Sequence, residues 1–188
     1  MTSFSNDIAG IIAAYLAKYK LLPWIDIHKL SPITLSQNPN AIDLLTDNPD
    51  KINWGSLCAN PAAIELLMNN PDKIDWCWIC PNPGAISLLI TNPEKIDWGY
   101  LSCNPAAIDL LIANPDKINW YALSRNPAAI PLLLANPDKI DWFQLSENPS
   151  AIPLLTANTD KICWTLLCKN PNVTELFLSA NLHLLEWR

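Results

Sequence analysis

The residues whose types could do chemistry are few, and their spacing works against it. Cys77 and Cys80 form a C-x-x-C, the spacing of a redox dithiol or of half a zinc site. A zinc site needs a second pair of Cys or His, and none stands nearby in sequence. Twenty-two residues before and after Cys77 stand Gly55 and Gly99, and the Cys80 position is held elsewhere by Ser36, Ser102, Ser124 and Ser146 and by Cys58 and Cys168. Interchange with Ser points to a tight site for a small side chain rather than to a reacting thiol. The two histidines, His28 and His183, lie near opposite ends of the chain, so a Ser/His/Asp or Cys/His arrangement would have to join those ends. Carboxylates recur at Asp75, Asp97 and Asp141, with Asn53 and Asn119 at the same spacing; in adjacent layers such groups would sit about 8–10 Å apart and form a column, not an acid/base pair. Four glycines and no phosphate-cradling loop complete the inventory. The expectation is a chain without catalytic residues, metal or cofactor; a metal- or redox-dependent protein using Cys77 and Cys80 is the alternative.

The elements that must position these residues are set by one repeat. Trp54, Trp76, Trp98, Trp120, Trp142 and Trp164 follow one another at intervals of 22 residues, within D-K-I-(D/N)-W-x-x-L-(S/C)-x-N-P-x-A-I-x-L-L-x-x-N-P, without insertion or deletion. Invariant length means that both ends of each unit pack against neighbours, because a stacked unit gains residues only where a loop leaves the stack. One period earlier, Lys29, Leu30, Leu35, Asn38, Pro39, Ala41 and Ile42 fall in register, with Pro32 in the Trp column, making seven copies over 28–181. Residues 1–27, with Ile8, Ile11, Ile12, Tyr15, Leu16 and Tyr19 at helical spacing, read as an N-terminal helical cap. Residues 182–188, with Leu184, Leu185 and Trp187, read as a short C-terminal cap.

Each of the first five copies carries two Asn-Pro pairs, and the last two keep the first pair, with Asn158-Thr159 and Ala180-Asn181 where the second would stand. Asn accepts a first-turn amide and Pro suits the first helical position, so each pair marks a helical start. The half beginning Pro71-Asp72-Lys73-Ile74-Asp75-Trp76 reads as an α-helix. In the other half Pro131 and Pro153 fall where a helix begun at Pro127 or Pro149 would need an amide donor, so Pro-x-Ala-Ile reads as a turn or 3₁₀ segment leading into a very short helix. The predicted fold is all-α, a right-handed solenoid of seven two-segment repeats (α plus α/3₁₀). The Ile, Trp, Leu, Ala and Leu-Leu columns should form its core and the repeated Asn residues should cap its segments.

The text Asn60-Pro61-Ala62-Ala63-Ile64-Glu65-Leu66-Leu67, followed by Asn70-Pro71-Asp72-Lys73-Ile74-Asp75-Trp76, resembles tandem-repeat proteins of giant viruses, the nucleocytoplasmic large DNA viruses. The match spans about 28–181 with a lead-in at Leu22-Pro23-Trp24-Ile25; Pro32 departs from the family's pattern, which keeps a Trp there. The resemblance implies a viral source and assigns no activity. The alternation of segments also looks like the leucine-rich repeat variant, as an analogy of pattern.

A formal net charge of -6 argues against non-specific affinity for nucleic acid or an anionic membrane, since both need positive charge to displace counterions. No run of eighteen apolar residues is present and Lys18 and Lys20 interrupt the N-terminal apolar stretch, so no transmembrane helix or signal peptide is expected. The expected location is intracellular, in host cytoplasm or virion, with reduced cysteines. The Lys column from Lys29 to Lys161 runs beside an acidic column from Asp50 to Asp160 and reads as a mutually paired, solvated face. The copies disagree most at the two positions after each Trp, where Trp78, Tyr100, Tyr121 and Phe143 supply the residue types that dominate protein interfaces. Facing solvent, these four would make a protein-binding band; facing the next layer, they would fill gaps. The reading is a non-catalytic scaffold or adaptor for a protein partner, monomeric or weakly self-associating through its terminal layers, with a self-associating structural protein as a further alternative.

Overall fold

A computed structural model describes residues 26–173; all but the last two residues of the expected N-terminal cap, the end of the seventh copy and the whole expected C-terminal cap lie outside the described residues. The described chain is all-helical, with no strand among the described residues, and it is built from short α and 3₁₀ pieces at regular spacing. It divides into two compact units, one ending at Asp75 and one beginning at Trp76.

One copy in the second unit shows how the sequence generates the repeat. Pro115–Lys117 forms a 3₁₀ turn, Ile118 is extended at φ −67 and ψ 124, and Trp120–Ser124 is an α-helix. Pro127–Ala129 is a second 3₁₀ turn running directly into the α-helix Ile130–Leu134. The half expected to be one α-helix is therefore broken in two. The residue before the Trp is extended at the break, and Asn119 Oδ1 accepts the Ala122 amide at 3.0 Å. Asp97 accepts from Tyr100 at 3.1 Å and Asp141 from Gln144 at 2.8 Å in the same way, whereas Cys163 is extended at the same place without a side-chain cap. Asn and Asp favour such a capping role over a helix interior, where their side chains compete with the backbone. The polar column is thus a row of N-caps. Asp97→Ala is expected to cost about 1 kcal/mol and Asp97→Asn close to nothing, as thermal melting of the two variants would show.

In the other half the expected lead-in is a 3₁₀ turn at Pro127–Ala129 before the helix of Pro131 and a simple turn at 149–150 before the helix of Pro153. Pro131 and Pro153 occupy the first turn of Ile130–Leu134 and Ile152–Thr156, where no intrahelical amide is needed. The first copy keeps the same helix despite lacking Trp: Pro32 opens Pro32–Gln37 at the first helical position, a place suited to its fixed φ.

Helices of four to six residues have no stability of their own, so burial must hold them. Leu57 and Leu67 in the first unit are completely buried, as are Leu89, Leu101, Leu111, Leu123, Leu133, Leu145, Leu155 and Leu167 in the second. Each contributes about 1.5–3 kcal/mol. Ala63, Ala85, Ala107, Ala129 and Ala151 are equally buried and let neighbouring turns approach. The Trp column was expected inside this core, but it stands at its edge and remains partly exposed. Lys117 Nζ lies 4.6 Å above the ring centre of Trp98 and Lys161 Nζ 4.5 Å above Trp142, so a lysine covers each of these rings.

Two polar columns join successive layers. Asn126 Nδ2 donates to the carbonyls of Ser102 at 3.0 Å and Asn104 at 2.9 Å in the preceding copy, while its Oδ1 accepts the Ala128 amide at 3.0 Å. Asn104, Asn148 and Asn170 repeat this arrangement on Cys80 and Asn82, Ser124 and Asn126, and Ser146 and Asn148. These side chains are at most 4% exposed, with both amide hydrogens donated and the carbonyl oxygen accepting one bond. Ser124 Oγ donates to the Trp120 carbonyl at 2.8 Å and accepts the Asp141 amide of the next copy at 3.0 Å. Cys58 and Cys80 accept the equivalent amides of Asp75 and Asp97 at 3.3 Å, which explains how Cys substitutes for Ser. The second Asn set was expected to cap helix starts with its side chains. Instead Asn70, Asn92, Asn114, Asn136 and Asn158 donate Nδ2 back to the carbonyl four residues earlier at 2.9 Å, closing the C-terminus of the preceding helix.

Candidate protein-binding surface

The row of helices begun by Trp in the second unit carries the four aromatics singled out by the disagreement between copies. Trp78 is 59% exposed, Tyr100 53%, Tyr121 56% and Phe143 55%, so they do not fill gaps between layers. The two positions after each Trp divide the work. Where the first is small, as at Gly99, the aromatic stands second at Tyr100; where the first is Tyr121 or Phe143, the second is Ala122 or Gln144 and is buried. Gln144, 4% exposed, donates from Nε2 to the Tyr121 hydroxyl at 2.6 Å and thereby fixes where that ring stands. At Gly99 a Cβ would meet Asp97 Oδ1 at 3.1 Å, so the cap leaves little room for a side chain at that copy's first position.

A second exposed apolar column went unread in the sequence. Met68 in the first unit, and Ile90, Ile112 and Leu134 in the second, close the helices begun by Ile and are 54–59% exposed. The signal was available: the same column reads Thr46 and Thr156 in the outer copies, and a column that accepts Thr beside Ile is seldom a core column.

The charged columns are engaged locally. Lys51, Lys73 and Lys139 lie 4.0, 3.1 and 3.9 Å from the carboxylates of Asp50, Asp72 and Asp138, their own sequence neighbours, and the Lys73 hydrogen bond holds Asp72 below the usual carboxylate range. Arg125 pairs with Glu147 at 3.4 Å. Since Lys117 and Lys161 lie over Trp rings instead, Asp116 and Asp160 make no ion pair among the described residues, and neither do Asp97 and Asp141.

The structure separates the two members of the C-x-x-C in environment. Cys77 is exposed and Cys80 is buried. Burial raises the Cys80 thiol above its ordinary value; the Asp97 amide opposes the rise, and the negative charges of Asp97 and Cys77 add to it. Burial likewise raises Cys58 and Cys103. A thiol held protonated is a poor nucleophile and ligand. Under native conditions Cys77 and Cys168 are therefore expected to react with iodoacetamide, and Cys58 and Cys80 only after unfolding, as peptide mass spectrometry would show. Because ionisation is easier in the unfolded chain, the stability contributed by these raised thiols is intact below about pH 8.5 and drains away as pH rises past it. Among the described residues no group of three His, Cys, Asp or Glu is placed to hold a metal ion, and no helix is long and apolar enough to cross a membrane. His183, Leu184 and Leu185 lie outside the described residues, while His28 is exposed with its amide donating to Asp26. No protein-family model, curated protein or solved structure matches the chain.

Proposed function

We propose that this chain is a non-catalytic repeat scaffold that binds another protein through the aromatic row Trp78, Tyr100, Tyr121 and Phe143. The observation that carries the reading is their exposure: four large aromatics from four successive copies are each more than half accessible, whereas the repeated Trp residues are half-buried. Tyr and Trp are the residue types that most often supply interface hot spots, since each contributes a large rigid surface at small entropic cost. The hydrogen-bonded caps beneath them hold this surface in one shape before a partner arrives, which lowers the cost of association. The resemblance of the repeat to giant-virus proteins points to a host factor or virion protein as the partner. The Ser-equivalent burial of Cys58 and Cys80 fits a reducing intracellular compartment.

The test replaces Tyr100 by a photoreactive phenylalanine analogue and identifies cross-linked proteins from the native source. The expected result is a discrete adduct that disappears in the Trp78→Ala/Tyr121→Ala double variant while the thermal midpoint stays within a few degrees of the parent. Adducts unaffected by the double substitution would overturn the reading.

A further inference from the structure

Resting on the reading of this row as a protein-binding surface, we propose that its occupant is a cationic segment of the partner, whose Arg or Lys side chains stack on the exposed rings and pair with the carboxylates beside them. The aromatics and the unneutralised acids share the same short helices. Asp97 caps the turn that carries Tyr100, with the Tyr100 amide bonded to its Oδ1 at 3.1 Å, and Asp141 directly precedes the Trp142–Leu145 helix that carries Phe143. Neither carboxylate has an ion-pair partner among the described residues. Of the six cations of the second unit, Arg125 is paired with Glu147 and Lys139 with Asp138, while Lys117 and Lys161 lie over Trp98 and Trp142, next in sequence to Asp97 and Asp141, without an ion pair to either carboxylate; Lys95 and Lys169 make no ion pair among the described residues. The second unit carries eight carboxylates against six cations over 76–173.

The chain also displays the chemistry it would offer. Two of its own lysines rest over aromatic rings at 4.5–4.6 Å, although each has an acidic neighbour within reach in sequence. A ring beside a carboxylate therefore competes well for a cation on this framework. An acidic or purely apolar segment would meet unpaired carboxylates on docking and lose affinity to desolvation. A basic segment, extended along the row, would find a ring with a carboxylate at Tyr100 and at Phe143, and between them the ring of Tyr121 with the neutral Asn119.

The capping column supplies a clean test, because Asn53 and Asn119 fill the same role as Asp97 and Asp141 and bond the equivalent amides. The double substitution Asp97→Asn/Asp141→Asn removes two charges and leaves the caps intact. Binding of the full chain is measured by fluorescence anisotropy to a synthetic peptide alternating arginine and glycine, with glutamate-for-arginine and serine-for-arginine peptides as comparators. The expected result is that only the arginine peptide binds, that Asp97→Asn/Asp141→Asn weakens it about tenfold, and that Trp78→Ala/Tyr121→Ala weakens it at least as much. Equal binding of the arginine peptide to parent and both variants would overturn the inference, as would preference for the serine peptide. Should the alanine variant lose its cross-linked native partner while the asparagine variant keeps it, the row binds protein by another chemistry; the functional reading then stands and this inference falls. A dimer in sedimentation that Tyr121→Ala dissolves would identify the occupant as a second copy and would likewise sink it.

Discussion

Asn126→Ala is expected to destabilise the protein by about 3–4 kcal/mol, the cost of two buried hydrogen bonds and one part-buried one at about 1 kcal/mol each plus the desolvated groups left behind. The side chain is 1% exposed, and its loss strands the carbonyls of Ser102 and Asn104 in the interior and leaves the part-buried amide of Ala128 without its cap. Asn126→Asp should fare no better, since a carboxylate cannot donate to two carbonyls and would itself be buried. The informative comparison is Asn136→Ala, ten residues along in the same copy. Asn136 donates one bond, to Leu132 at 2.9 Å, from a partly buried position, and about 1 kcal/mol is expected. Urea denaturation with hydrogen exchange as a second probe measures both, because a stack of repeats need not unfold in one step. Equal losses at the two positions would show that the ladder between copies contributes nothing beyond ordinary capping.

Leu133→Ala should cost about 3–4 kcal/mol, within the range for leucines truncated in rigid cores, whereas Leu134→Ala should change stability by about 0.5 kcal/mol or less. The two residues are adjacent and chemically identical, yet Leu133 is completely buried and Leu134 is 56% exposed. Removing Leu133 takes a methylene cluster from between short helices that have no other source of stability. Removing Leu134 takes a side chain from the surface. The same denaturation series measures both, and a large loss at Leu134 would mean that something covers the column it belongs to.

Much of this architecture was legible because repetition made it so. Strict phase identified the copies, and Pro131 four residues after Pro127 could only be reconciled with a turn before the helix. What stayed hidden were roles that depend on where a side chain points. Asn119, Asp97 and Asp141 read as an unremarkable polar column, although a polar residue directly before a hydrophobic turn is a cap signal in its own right. The two Asn sets look alike in sequence, each preceding Pro except at Asn158-Thr159, yet one bonds across copies and the other back along its own helix; only the three-dimensional path separates them. The repetition of Trp suggested a core column, but the rings stand at the edge, where lysines from the next copy lie over Trp98 and Trp142. Of the surface, Trp78, Tyr100, Tyr121 and Phe143 were found because copies disagree there. The column of Ile90, Ile112 and Leu134 was missed because Ile and Leu beside a Leu-Leu pair look like more core.

The asparagine ladder has a consequence for how such a chain can change over generations. In the second unit each rung ties one copy to the copy before it through backbone carbonyls alone, and a carbonyl is the same whichever residue carries it. A copy inserted or lost as a whole would leave every rung satisfied, because the newly adjoining copies present the same acceptors at the same spacing. Gene slippage by one unit is therefore structurally silent, while slippage by a single codon breaks every rung at the junction. Array length is free to drift, and selection can act on it through the number of exposed rings the array presents.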